Sequence, residues 1–306
     1  WPHLPLFEGD EVIDAKVEPK DQKDLTKRIT ERAVGFIKKN KEKPFFLYVA
    51  HPQPHVPLFV SDDGKGKSEN GLLGDVLQEI DWSTGEILKT LDEAGVTENT
   101  WVMFASDNGP WMVYGNHAGG VGPLRGCKGN SWEGGVRVPC VMKWPKKLKA
   151  GSVVDVPLMT IDILPTIAKV LEQPLPERKI DGKDAWLVIS GASSEPVQEA
   201  YFFYYGKNNQ ESMRMGKWKL VFPHRWRDSK TEPGKDGLPG KYHWPESGLE
   251  LYDLEKDIGE ANDVAKTHPE VVREMQALAD QMREDLGDGL QKKKGKGARE
   301  PGRWGD

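Results

Sequence analysis

Two seven-residue apolar runs, PFFLYVA (44–50) and TWVMFAS (100–106), each break off into a dense polar cluster. The runs are too short for helices and rich in β-branched and aromatic residues, so each reads as a buried strand. The first ends in His51-Pro-Gln-Pro-His55-Val-Pro57, where three prolines forbid regular structure. The second ends in Ser106-Asp107-Asn108-Gly109-Pro110. In an open α/β sheet, ligands gather at the carboxyl ends of strands, so two polar clusters in that position mark a site.

Helical periodicity surrounds these runs. Leu25, Ile29, Ala33, Phe36 and Ile37 give an apolar stripe over 21–39; Leu73, Val76, Leu77, Ile80, Ile87, Leu88 and Leu91 give another over 72–94, closed by Gly95. VRVPCVMKWP is a third strand-like run, and a helix follows over 160–171. Strands alternating with helices predict an α/β sandwich with a mainly parallel sheet over residues 1–194. After Ser194 the pattern changes. YFFYYGKN, SMRMGKWKLVFP and GLELYDLEKD read as antiparallel strands, and a helix runs from Pro269 to Leu286. A small α+β subdomain is therefore expected over 195–288, and the basic, Gly-rich tail 289–306 reads as disordered.

Composition narrows the function. The net charge of −5 argues against nucleic acid as the main partner. No apolar stretch approaches the ~18–20 residues of a membrane helix, so no membrane partner is expected. Two cysteines in 306 residues make no disulfide framework, and Cys140 reads as a small buried residue. Most of the eleven Trp are expected in the core.

Asp107 and Asn108 offer a carboxylate and an amide carbonyl side by side, hard oxygen ligands suited to Ca²⁺ or Mg²⁺. The same Asp-Asn-Gly sequence is also strong turn chemistry. His55, fixed between Pro54 and Pro57, could serve as a catalytic group or simply bond loop backbone. His51, nearer the strand, reads as structural. The segment 122–137 mixes glycines with Arg125, Lys128 and Arg137, a pattern that suits an oxyanion but also a solvated loop. It lacks the spacing of a phosphate-binding P-loop.

Taken together, PFFLYVAHPQPHVPLF, the run IDWSTGEILKTLDEAGVTENTWVMFASDNGP, GPLRGCKGNSWEGGVRVPCVMKWP, LMTIDILPTIAKVL and RMGKWKLV followed by LYDLEKDIGEANDVA resemble, in order, the sulfatase family of the alkaline phosphatase superfamily, in its arylsulfatase A-like branch. The resemblance implies an alkaline-phosphatase-like α/β/α sandwich whose N-terminal strands are missing. It implies hydrolysis of sulfate esters on aryl or carbohydrate substrates, with calcium rather than magnesium as cofactor. By the same resemblance Asp107 and Asn108 match the family's late pair of calcium ligands, Lys128 the lysine on the sulfate oxygens, and His55 the histidine near the leaving oxygen. His117 and Arg125 would shape the substrate pocket.

The family's C-x-P-x-R or S-x-P-x-R motif, whose Cys or Ser becomes formylglycine, is absent, as are its early Asp-Asp pair and Lys-x-His element. The expectation is a C-terminal portion that is inactive alone, with formylglycine in an upstream region. A sheet lacking those strands should carry bare apolar surface and be marginally stable. Two alternatives stand beside this reading: a phosphate or phosphonate ester hydrolase of the same superfamily, and a non-catalytic module for sulfated glycans. The expected partner is a sulfated small molecule or glycan, in the periplasm or outside the cell; the oligomeric state is open. The segment 226–247 is a candidate specificity element.

Overall fold

The structure is a computed structural model that describes residues 4–298. The chain opens with a hairpin, β1 (Leu4–Glu8) and β2 (Glu11–Val17), followed by the short helix α1 (Pro19–Gln22). The amphipathic helices α2 (Leu25–Asn40) and α3 (Gly71–Glu93) pack together; α3 lies within one residue of its expected bounds, while α2 begins four residues later than expected. Thr30 donates to Ser83 across their interface (2.6 Å), and Ser83 lies 3.2 Å from His51 Nε2, which gives His51 the structural role expected of it. The turn after the prolines packs its Leu58 and Val60 onto Val76 and Ile80 of α3.

Strand β3 (Val102–Ala105) pairs antiparallel with β4 (Cys140–Lys143), and α4 (Glu133–Val136) closes the loop between them. Then come α5 (Ile163–Val170) and α6 (Trp186–Ile189). The C-terminal part is built on a four-stranded antiparallel sheet of β5 (Tyr201–Tyr205), β6 (Asn209–Met215), β7 (Trp218–Val221) and β12 (Glu250–Asp253), in the order β12-β7-β6-β5. Between β7 and β12 lie two small ladders. One pairs β8 (His224–Arg225) with β11 (Glu246–Ser247), the other β9 (Asp228–Glu232) with β10 (Lys241–His243).

Alternation along the strands divides the sheet's two faces. Met213, Leu220 and Leu251 face α7 (Pro269–Leu286) and pack on its Val272, Met275 and Ala279, which repeat at helical spacing. Val221 and Tyr252 point the other way and pack on Trp132 of the 122–137 segment. The subdomain thus grips a loop that belongs to the first half of the chain.

Four expectations need correction. All ladders among the described residues are antiparallel; no parallel pairing forms. Residues 45–50 carry no ladder at all. Phe45, Leu47 and Val49 are half-buried while Phe46 and Tyr48 are 74% and 80% exposed, the alternation of an extended chain with one bare face. A strand buried on both faces needs neighbours at its edges, and no described strand supplies them. Cys140 is exposed on β4, for the same want of cover, whereas Cys127 is fully buried. Finally, residues 289–298 of the tail are ordered: β14 (Lys293–Lys294) pairs with β13 (Gly287–Asp288) beside α7. Expected disorder over 299–306 lies outside the described residues. No helix among the described residues is long and apolar enough to cross a membrane.

Candidate active site

The segment after β3 is shaped by its own polar groups. Ser106 donates from its hydroxyl to the Asn108 carbonyl (3.1 Å) and from its backbone to the Pro139 carbonyl (3.3 Å). Gly109 N donates to the Gly135 carbonyl (3.0 Å), and Lys128 N to the Pro110 carbonyl (2.9 Å). A Cβ at Gly109 would strike the Gly134 carbonyl oxygen, so only glycine permits this contact. The acidic turn and the Lys128 loop are therefore stitched into one frame. Among the described residues, no side chain engages those of Asp107 or Asn108.

His55 and Lys128 meet at an aromatic ring. The His55 ring lies edge-on to Trp111, centroids 5.5 Å apart, and Lys128 Nζ is 5.0 Å from the Trp111 centroid. His55 Nδ1 lies 2.7 Å from the Val56 carbonyl, which can only accept, so Nδ1 carries hydrogen and Nε2 is left for other work. Trp111 is held in turn by Tyr114, 5.0 Å away, and by donating from Nε1 to the Tyr242 hydroxyl of β10 (3.0 Å). Sequence reasoning passed over Trp111. The available signal was its position directly after S-D-N-G-P, in a polar stretch with no apolar periodicity to make it core.

The two pocket-shaping expectations fare differently from the rest. Arg125 donates to the Tyr252 hydroxyl (3.0 Å) and the Glu260 carbonyl (2.9 Å), with its guanidinium 3.6 Å from the Trp132 ring centroid. It clamps the loop to the subdomain and also lines a cleft with Trp226, Asp228 and Lys230. His117 sits beneath the turn at Gly237, its Nδ1 buried and without a bonding partner.

Behind the Lys128 loop lies a buried ionic cluster. Lys219, fully buried, reaches Glu133 (2.9 Å) and Glu260 (3.1 Å); Glu133 also faces Arg214 (3.6 Å) and Arg137 (3.9 Å). Glu133 N donates to Glu260 Oε2 (2.9 Å). Burial pushes both carboxyls up; at Glu133 the attraction of Lys219, Arg214 and Arg137 more than offsets it, holding that group below its usual range, while Glu260 stays above. Cys127, whose sulfur lies 3.0 Å from the Ser229 hydroxyl, and Asn130, which donates to the Arg227 carbonyl (3.1 Å), complete the anchoring. Lys128 thus projects from a loop whose other residues are tied down.

Asp107 and Asn108 fit a hard cation in donor type, and neither side chain is bonded to a described residue. They supply only two of the ~6–8 oxygens that calcium takes. Among the described residues no group of three or more His, Cys, Asp or Glu gathers to complete a site.

This frame recurs in known proteins. The sulfatase family model matches residues 6–173, the model for the C-terminal region of aryl-sulfatase matches 197–301, and that for the N-sulphoglucosamine sulphohydrolase C-terminal part matches 128–227. The N-acetylgalactosamine-6-O-sulfatase of Bacteroides thetaiotaomicron is 35% identical over 280 residues, 86% of this chain and 52% of that protein. Human steryl-sulfatase is 40% identical over 193 residues, 61% of this chain and 33% of its own. A solved structure from work on glycosaminoglycan metabolism by Bacteroides thetaiotaomicron is 33% identical. It superposes with a TM-score of 0.72, covering 88% of this chain and 56% of that one. A Pseudoalteromonas sulfatase, 24% identical, shares the fold at a TM-score of 0.76 over 89% of this chain and 56% of its own. The chain belongs to the sulfatase family, and its fold is the alkaline-phosphatase-like α/β fold of these structures. It spans between a third and about half of the length of these two curated relatives.

Proposed function

We propose that this chain supplies the sulfate-gripping and metal-holding side of a calcium-dependent sulfuric ester hydrolase. The observation that carries the reading is the meeting of Lys128 and His55 over Trp111, on the same stitched frame as Asp107 and Asn108. Lys128 places a point charge against the sulfate oxygens and favours the charge that builds on them as the ester bond breaks. With Nδ1 bound to Val56, His55 presents Nε2 outward. As imidazolium it donates that proton to the departing alcohol oxygen. Asp107 and Asn108 would hold Ca²⁺ together with ligands from elsewhere, and the bound cation would draw charge from the sulfuryl oxygens. Residues 1–194 provide these groups, and the subdomain 195–288 holds their loops.

No C-x-P-x-R or S-x-P-x-R segment occurs in the 306 residues, so in this reading the chain's own side chains provide no attacking group. Substrates are sulfated small molecules or glycans, met in the periplasm or outside the cell. Equilibrium dialysis with 4-nitrophenyl sulfate tests the proposal. Calcium should strengthen binding, and Lys128→Ala should weaken it at least ten-fold. Binding that ignores both calcium and Lys128 would sink the sulfatase reading in favour of a non-catalytic glycan module. A marked preference for 4-nitrophenyl phosphate would favour the phosphoester alternative.

A further inference from the structure

Lys128 has a cationic neighbour that the proposed chemistry does not use. Arg227 enters the site from the subdomain, between the buried Trp226 and β9. Its guanidinium occupies the space where a side chain on Gly129 would stand. One terminal nitrogen donates to the Lys128 carbonyl (3.3 Å). The guanidinium carbon lies 5.2 Å from the Tyr242 ring and 5.9 Å from the Trp111 ring, and those two rings are joined by the Trp111–Tyr242 hydrogen bond. Backbone, glycine and two aromatics therefore hold the group in place.

What the guanidinium lacks is an anion. Its Nε is buried with no acceptor, and among the described residues no carboxylate pairs with it. The adjacent Asp228 is already engaged, accepting from Lys230 N (2.8 Å) and from the Thr231 hydroxyl. A buried donor left without a partner is unfavourable, and more so when charged. An arginine so fixed holds its remaining N–H donors in place for an incoming oxyanion. Lys128 Nζ and the Arg227 guanidinium carbon stand 5.0 and 5.9 Å from one Trp111 centroid, and so lie less than 11 Å apart. That separation suits two anionic groups on one sugar unit or on adjoining units, with the exposed edge of Tyr242 left to meet the apolar face of a ring.

We infer that Arg227, Trp111 and Tyr242 form a second anion subsite beside Lys128, selecting polyanionic glycans over monoanionic aryl or steryl sulfates. The inference rests on the sulfatase reading of Lys128. It names a substrate class, an oxyanion-bearing sugar next to the sulfate being held, whether that oxyanion is a carboxylate or a second sulfate.

Equilibrium dialysis of the whole 306-residue chain with calcium separates the possibilities. Three probes are used: 4-nitrophenyl sulfate, a disaccharide with one sulfate and one uronic carboxylate, and a disaccharide with two sulfates. The two dianions should bind at least ten-fold more tightly than the monoanion, and the arm that binds better identifies the source of the second charge. Arg227→Ala should weaken the dianions at least ten-fold more than the monoanion, and Arg227→Lys should recover part of the loss. Tyr242→Leu, at a partly exposed position, should lower disaccharide binding selectively and serves as the variant least disturbing to the fold. Equal weakening of all three probes by Arg227→Ala would make Arg227 a pillar of the Lys128 loop and overturn the proposal. So would equal affinity of the wild-type chain for monoanion and dianions, a result that leaves the sulfatase reading standing. Failure to bind any probe would remove that reading and this proposal together.

Discussion

His55 and the Asp107–Asn108 pair were legible as candidates because each follows a break from an apolar run into polar sequence, and Lys128 because it stands among glycines and spaced cations. The ring that gathers two of them was not. Trp111 lies in a polar stretch that marks it as other than core, but nothing in one sequence shows that its neighbours in space are His55, Lys128 and Tyr242, the last more than a hundred positions further on. Cysteine environments were misread for a related reason. Cys140 sits in a run that looks buried, yet it is exposed on β4 with its thiol only partly shielded, whereas Cys127 is closed in by Ser229 from the subdomain. One thiol should therefore react with Ellman's reagent in the native chain and the second only on unfolding. Burial pushes the Cys140 thiol above its ordinary value, so its thiolate fraction at neutral pH is reduced. Its rate should keep climbing with pH above about 9.5, where a free cysteine of pKa ~8.5 has levelled off. Two thiols reacting at once in the native state would contradict this packing.

At the scale of elements, helix bounds and the C-terminal strands could be read closely: α7 occupies the expected residues, and β5, β6, β7 and β12 form the expected antiparallel sheet. Periodicity reports what an element does to its own faces, so these survived. Contacts between elements leave no such trace, and the loop–sheet junction was invisible. No periodicity or motif links Glu133, Lys219 and Glu260 in the sequence. Together they are a buried triad. Removing one member of such a cluster strands the remaining charges in low dielectric. Lys219→Met should therefore destabilise the chain by about 3–5 kcal/mol, seen as a lower urea midpoint. Adding Glu133→Gln and Glu260→Gln should return much of the loss, because the triple change removes all three charges of the triad. A loss under about 1 kcal/mol for Lys219→Met alone would show that the triad does not hold the junction.

For the molecule as a whole, the α/β class was legible from alternating strands and helices, but strand pairing depends on which neighbours are present. Phe104 and Val141 sit opposite each other in the β3–β4 register and are 44% and 66% exposed, and residues 45–50 offer unpaired backbone. Open edges and bare apolar faces invite association. The 306-residue chain should self-associate with rising concentration in sedimentation velocity, and Phe104→Lys with Val141→Glu should suppress it. A monomer that persists at high concentration with both residues intact would refute that. The triad also sets an order of events during synthesis. Glu133 leaves the ribosome 127 residues before Glu260. At translation rates of about 5–20 residues per second, the Lys128 loop waits roughly 6–25 s for the segment that locks it. During that interval the future binding loop lacks the Glu260 carboxylate that accepts from Glu133 N, a window in which a chaperone or a protease meets the loop before any substrate does.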